Sequence, residues 1–150
     1  MPDPVPDEPP TRAQTFDPRM ARRRALELLF EADVRGEAVA TTLRRLGRSS
    51  DAEAIDPFGR QLVEGVEAHR EALDRLLGDY AHRWSVKRMP KVDRNVLRMA
   101  VYELIHLDTP DAVVIDEAVK LAKLFAGGRA PTFINGVLEA IRRDHTAKGT

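Results

Sequence analysis

The stretch Pro90-Lys-Val-Asp-Arg-Asn-Val-Leu-Arg-Met-Ala-Val-Tyr-Glu-Leu104 decides the fold class. Proline is tolerated at the start of a helix, where its missing N–H would have no partner in any case. Behind it Val92, Val96, Ala100, Leu104 and Leu107 recur at helical spacing, which predicts one inward-facing stripe. Thr109-Pro110 then ends the helix, because the residue before a proline is driven out of the α region.

The same signals read outward in both directions. Asp17-Pro18 pairs an N-cap residue with proline at the first helical position, and Ala21, Ala25, Leu28, Leu29 and Ala32 follow at helical spacing. Gly36 stands where a left-handed C-cap would stop that helix. A short helix is expected over 37–47, then a linker containing Gly, Ser and Asp. Asp56-Pro57 is a second start, and Leu62, Val63, Val66, Leu73, Leu76, Leu77 and Tyr80 trace a stripe running to about Trp84. Gly65 and Gly78 weaken it and mark a bend or a close helix contact. A further helix ends near Ala126, before Gly127-Gly128, and the last spans about Pro131 to Arg143. Sustained period-two alternation is absent, so the expected fold is an all-α bundle over 17–145. Residues 1–16, with five prolines, and residues 146–150 are expected to be disordered tails.

Composition narrows the function. The chain has 150 residues, no cysteine and a formal net charge of zero. Thiolate metal sites and disulfides are thereby excluded. No apolar run reaches signal-peptide or membrane-span length, so a cytoplasmic protein is expected. Charge is unevenly spread. Residues 50–79 carry eight acids against three arginines (net −5), whereas 83–106 carry six bases against two acids (net +4). Separate faces for separate partners would produce this, and so would a solvated mosaic. His69, His82, His106 and His145 show no metal-ligand spacing, and no nucleophile elbow or phosphate-binding glycine motif is present. Neither enzymatic activity nor a cofactor is expected.

Several residues invite a binding role. Arg22, Arg23 and Arg24, with Arg19 just before them, put positive charge at the positive end of a helix dipole. Three consecutive helical residues fan about 200° around the axis, so they cannot all serve one acidic neighbour. Guanidinium groups so placed suit phosphate, although a solubilising helix end reads equally well. Gly127-Gly128-Arg129-Ala130-Pro131-Thr132 precedes a helix whose free N–H groups favour an anion; an ordinary helix–helix turn is the plainer reading. Phe133 is either a stacking platform for an unpaired base or core, and Phe30 lies in an apolar run. Lys87, Lys91, Arg94 and Arg98 form a basic stripe at helical spacing, which the acids of 50–79 would more commonly neutralise. Asp93 is a first-turn acid of the kind a helix dipole favours, and Asn135 and Gly136 read as structural.

Three ordered blocks carry a resemblance: Pro90 to Leu104, then Val114-Ile-Asp-Glu-Ala-Val-Lys-Leu-Ala-Lys123, then Phe133-Ile-Asn-Gly-Val-Leu-Glu139. With Ala21-Arg-Arg-Arg-Ala-Leu-Glu-Leu-Leu-Phe-Glu-Ala32 upstream, they resemble the NusB family of bacterial transcription antitermination factors over residues 18–143. The resemblance implies a bundle of about seven helices in two packed halves. It further implies binding of boxA RNA, a single-stranded element of ribosomal RNA leader transcripts. The implied partner is the NusE ribosomal protein, within a complex that keeps RNA polymerase transcribing rRNA operons. An arginine-rich N-terminal segment contacts RNA in that family, which points to Arg19, Arg22, Arg23 and Arg24, and Arg129 adds charge in the Gly-rich loop. Phe133 matches an aromatic at the family's RNA surface, and Phe30 one near it. Asp93 aligns with an acid used against the protein partner, with Asp111 and Glu117 as further candidates. Two alternatives come with the resemblance. A NusB-like domain precedes some RNA cytosine methyltransferases, although this chain stops at Thr150 with no methyl-donor domain. Some members also form a homodimer that masks the RNA surface.

Overall fold

A computed structural model describes residues 17–47, 55–82 and 84–146. Seven α-helices account for most of them: α1 Pro18–Arg35, α2 Val39–Gly47, α3 Pro57–Ala68, α4 Arg70–Tyr80, α5 Lys91–His106, α6 Asp111–Phe125 and α7 Ala130–His145. A short 3-10 turn, Val86–Arg88, leads into α5. Among the described residues there is no strand.

The local signals act as their chemistry dictates. The Asp17 carboxylate accepts the Arg19 N–H at 3.0 Å and the Asp56 carboxylate accepts the Phe58 N–H at 2.8 Å, satisfying orphan donors at the starts of α1 and α3. Gly36 closes α1 at φ 65°, a conformation that costs a residue without Cβ nothing. One boundary differs from expectation. The stripe from Leu62 to Tyr80 is two helices, and the break falls at His69 (φ −114°, ψ 14°) rather than at a glycine. The His69 ring, with Nδ1 2.9 Å from the Gly65 carbonyl, occupies the junction. Gly65 serves close packing instead: a Cβ there would lie 2.1 Å from Cζ of Tyr102. Gly78 faces open space. At the other end, Thr146 closes α7 and its hydroxyl donates to Asp111 at 2.5 Å. The tail expected over 1–16, the linker 48–54 and residues 147–150 lie outside the described residues.

Helix α5 organises the rest. α1, α2 and α3 pack on one another, α7 packs on both α4 and α6, and α5 lies between the two groups. It is therefore buried nearly all round, with Val96, Leu97, Val101 and Leu104 against its neighbours. Four of its polar residues, Arg94, Asn95, Arg98 and Glu103, turn inward to a partner on another helix. Arg94 Nη2 reaches both Asp33 oxygens at 2.7 Å, Asn95 donates to Asp33 at 2.9 Å, and Arg98 grips Asp74 at 2.7 and 2.8 Å. The stripe expected at Arg94 and Arg98 is thus an internal brace rather than a solvated or RNA-facing one. Burial pushes the Asp33 carboxyl up, but hydrogen bonds from Arg94 and Asn95 and the charges of Arg94 and Arg98 outweigh it and hold it below the usual carboxylate range.

Candidate nucleic-acid interface

Two ion pairs fix how the arginine-rich start of α1 sits. Arg22 points inward. Its Nε and Nη2 donate to the Glu103 carboxylate of α5 at 3.0 and 2.5 Å, and its guanidinium lies 5.1 Å from the centre of the Phe58 ring. At 5% exposure, against 1% for Glu103, Arg22 is not on the surface as folded. That corrects the expectation for this one arginine: a fork-on-carboxylate pair with an aromatic lid joins α1 to α5.

The other three arginines fan outward, as helical geometry requires. Arg19 is exposed and pairs through Nε with Glu117 of α6 at 3.1 Å. Arg23 is exposed and lies 5.3 Å over the Phe125 ring at the end of α6, with Glu27 at 3.6 Å. Arg24, about 100° further round, leaves this flank and pairs with Glu27 at 3.2 Å. Phe30, two turns past Arg23 on α1, is 38% exposed. Phe30 is thus a surface aromatic, not core.

The loop from Ala126 to Arg129 turns through two left-handed glycines, Gly127 at φ 70° and Gly128 at φ 58°. Arg129 is exposed and forms the N-cap position of α7. Phe133, one turn on, is only partly buried. Its ring meets that of Trp84 edge-to-face at 5.3 Å and 67°, so it bridges core and surface. The exposed or partly exposed candidates are thus Arg19, Arg23 and Phe30 on α1, Phe125 at the end of α6, and Arg129 and Phe133 at the start of α7, with Arg23 and Phe125 in direct contact. Phe125, which the sequence does not single out, is 37% exposed.

The three acids expected at a protein partner lie inside as folded. Asp93 is 3% exposed at the start of α5, and burial, only partly offset by its own backbone N–H, raises its pKa above the usual carboxylate value. Asp111 accepts from Thr146, and Glu117 is shared between Arg19 and Lys120, the latter at 3.7 Å. Asp111 and Glu117 thus tie helices together, and Asp93 is buried, so none presents an open carboxylate at the surface.

Among the described residues no group of three or more His, Asp or Glu side chains is placed to hold a metal ion, and no helix is long and apolar enough to cross a membrane.

Comparison with known proteins gives a consistent picture. A model of the NusB family matches residues 19–143. A protein named transcription antitermination protein NusB from Streptomyces griseus is 50% identical over 123 residues, spanning 79% of this chain and 86% of the relative. One of the same name from Thermobifida fusca is 45% identical over 122 residues, spanning 81% and 85%. Among solved structures, T. maritima NusB superposes with a TM-score of 0.76 at 31% identity, covering 88% of this chain and 94% of that one. A structure of the antitermination factors NusB and NusE in complex with double-stranded RNA matches with a TM-score of 0.73 at 30% identity, covering 85% and 96%. With the family model spanning α1 to α7 and the same helical arrangement in these relatives, the chain belongs to the NusB family.

Proposed function

We propose that this chain is a transcription antitermination factor without catalytic activity, which binds boxA RNA of ribosomal RNA leader transcripts together with the NusE ribosomal protein. It does so as part of the antitermination complex on RNA polymerase. The observation that carries the reading is the pairing of exposed arginines with exposed rings, Arg23 lying 5.3 Å over Phe125 while Arg19 and Phe30 on α1 and Arg129 at the start of α7 are exposed as well. Guanidinium groups supply salt-dependent phosphate affinity. Aromatic rings beside them accept splayed bases, the usual means by which proteins read single-stranded RNA. Arg22 contributes indirectly, by holding the angle of α1 against α5. The relative solved with NusE and RNA supports both partners.

Fluorescence anisotropy of labelled boxA RNA and a scrambled control, with and without NusE, tests the proposal. Preference for boxA that strengthens with NusE is expected. Equal, weak binding to both RNAs refutes it. A second reading, a homodimer closing over these residues, draws on the exposed Phe30, Val34 and Leu124. Solution mass that rises with concentration, together with RNA affinity that falls, would favour it.

A further inference from the structure

We infer that Trp84 is a second stacking platform for single-stranded RNA, continuing the surface of Phe133 around the end of the bundle. The inference rests on the RNA-binding reading above and extends its footprint to the turn between α4 and α5. Trp84 is 42% exposed while Phe133, itself packed on the core, meets it edge-to-face, so part of the indole is open and its orientation is held. An indole fixed by an edge-to-face neighbour loses little freedom when a base stacks on it.

The charges around it point to the ligand. Twelve arginines of the described residues stand within ion-pair distance of a carboxylate, including all of those on α1 and α5. Lys87, Arg88 and Lys91 do not, and neither does Arg129 one turn before Phe133. All four are exposed, and residues 81–92 contain no acid at all. Among the described residues Arg44, Arg75 and Lys123 also lack a carboxylate partner, each on a different helix, whereas Lys87, Arg88 and Lys91 follow Trp84 within seven residues and Arg129 precedes its neighbour Phe133 by one turn. Cations beside an open aromatic face suit a polyanion carrying flat bases, and RNA is such a polymer. A protein partner of matching acidity is the competing occupant, and the test separates the two.

Trp84 is the sole tryptophan, so its emission reports on this site alone. A short single-stranded boxA RNA is titrated into the full chain while labelled-RNA anisotropy and tryptophan emission are followed together. Quenching that tracks binding, with Trp84→Ala weakening affinity about tenfold and Trp84→Phe nearly preserving it, is expected from loss of one stacked base. Unchanged circular dichroism melting of Trp84→Ala separates this from a packing defect. The triple variant Lys87→Ala, Arg88→Ala, Lys91→Ala should lower the slope of log affinity against log salt by about 2. RNA binding with unaltered emission and unaltered affinity in Trp84→Ala would overturn the inference while leaving the RNA reading intact. Emission that shifts on adding NusE alone, with no further change on RNA, also overturns it, in favour of a protein contact. Absence of RNA binding by the unmodified chain would remove both.

Discussion

Replacing Arg22 or Glu103 separately, and then together, examines the buried pair that joins α1 to α5. The two side chains lie almost wholly out of water and exchange two charge-assisted hydrogen bonds, at 3.0 and 2.5 Å. Removing one leaves the other as an uncompensated charge, a loss of about 3–5 kcal/mol. For a domain of this length each kcal/mol moves Tm by about 2–4 °C, so Arg22→Met or Glu103→Leu should melt roughly 6–20 °C lower. The double variant Arg22→Met, Glu103→Leu replaces the pair with apolar groups of similar size and should recover most of that loss, because neither charge is then buried alone. Urea unfolding followed by circular dichroism gives all three values and hence the coupling between the two positions. Single variants costing under about 1 kcal/mol, or a double variant as unstable as the sum of the singles, would refute the buried-brace argument. RNA binding by the double variant completes the picture. If Arg22 acts through the pose of α1, the refolded double variant binds RNA nearly as the unmodified chain does; a direct phosphate contact would be lost with the side chain.

Gly65→Ala forces a Cβ to 2.1 Å from the Tyr102 ring, so it should destabilise by about 1–3 kcal/mol or more, and Tyr102→Leu should relieve part of that in thermal melts. Asp93 has a folded pKa above its unfolded value, so the folded state binds its proton more tightly and stability falls as pH rises from about 4 through that value. Asp93→Asn should therefore raise Tm at pH 7 and give no gain near pH 3.5; a loss at pH 7 would mean that the ionised form is stabilised by something else. Asp33 behaves oppositely: its folded pKa is depressed, so its contribution is present above about pH 4 and fades as pH falls through the folded value. Asp33→Asn should cost about 1.5–3 kcal/mol at pH 7, and the gap to the unmodified chain should close in acid. Arg19→Ala with Arg23→Ala should weaken RNA binding and flatten its salt dependence at unchanged helicity, and an unaltered slope would take both out of the interface.

The helices were legible because their ends are local. Asp17-Pro18, Asp56-Pro57 and Gly36 act through atoms two to four residues away, which any reader of the sequence has in hand. The break at His69 was not, since no proline or glycine marks it and its ring packs at the junction through the distant Tyr102, 5.6 Å away. The candidate site divides the same way. That three consecutive arginines cannot share one partner follows from helical geometry, but which one turns inward depends on Glu103, 81 residues along the chain. Arg94 and Asp33 are 61 residues apart and Arg98 and Asp74 are 24, so a stripe that read as a basic face became an internal lattice. Phe30 and Phe125 could not be told from core by spacing, because an apolar residue at the margin of a helical stripe is inside or outside by a few tens of degrees. Nor did Trp84 attract notice at the end of its stripe; its neighbourhood emerges only when α7 brings Phe133 beside it.

Lys87, Arg88 and Lys91 lie in a stretch, residues 81–92, that carries no acid, in a chain whose formal net charge is zero. Lys87, Arg88 and Lys91 stand at one end of α5, and Asp108 stands just past the other, about 24 Å away at 1.5 Å per residue. Such a molecule turns in the field of an approaching polyanion before touching it, so productive encounters are favoured over random collisions. The association rate with RNA should consequently fall as salt is added, even though an ion-exchange column at neutral pH would register almost no overall charge.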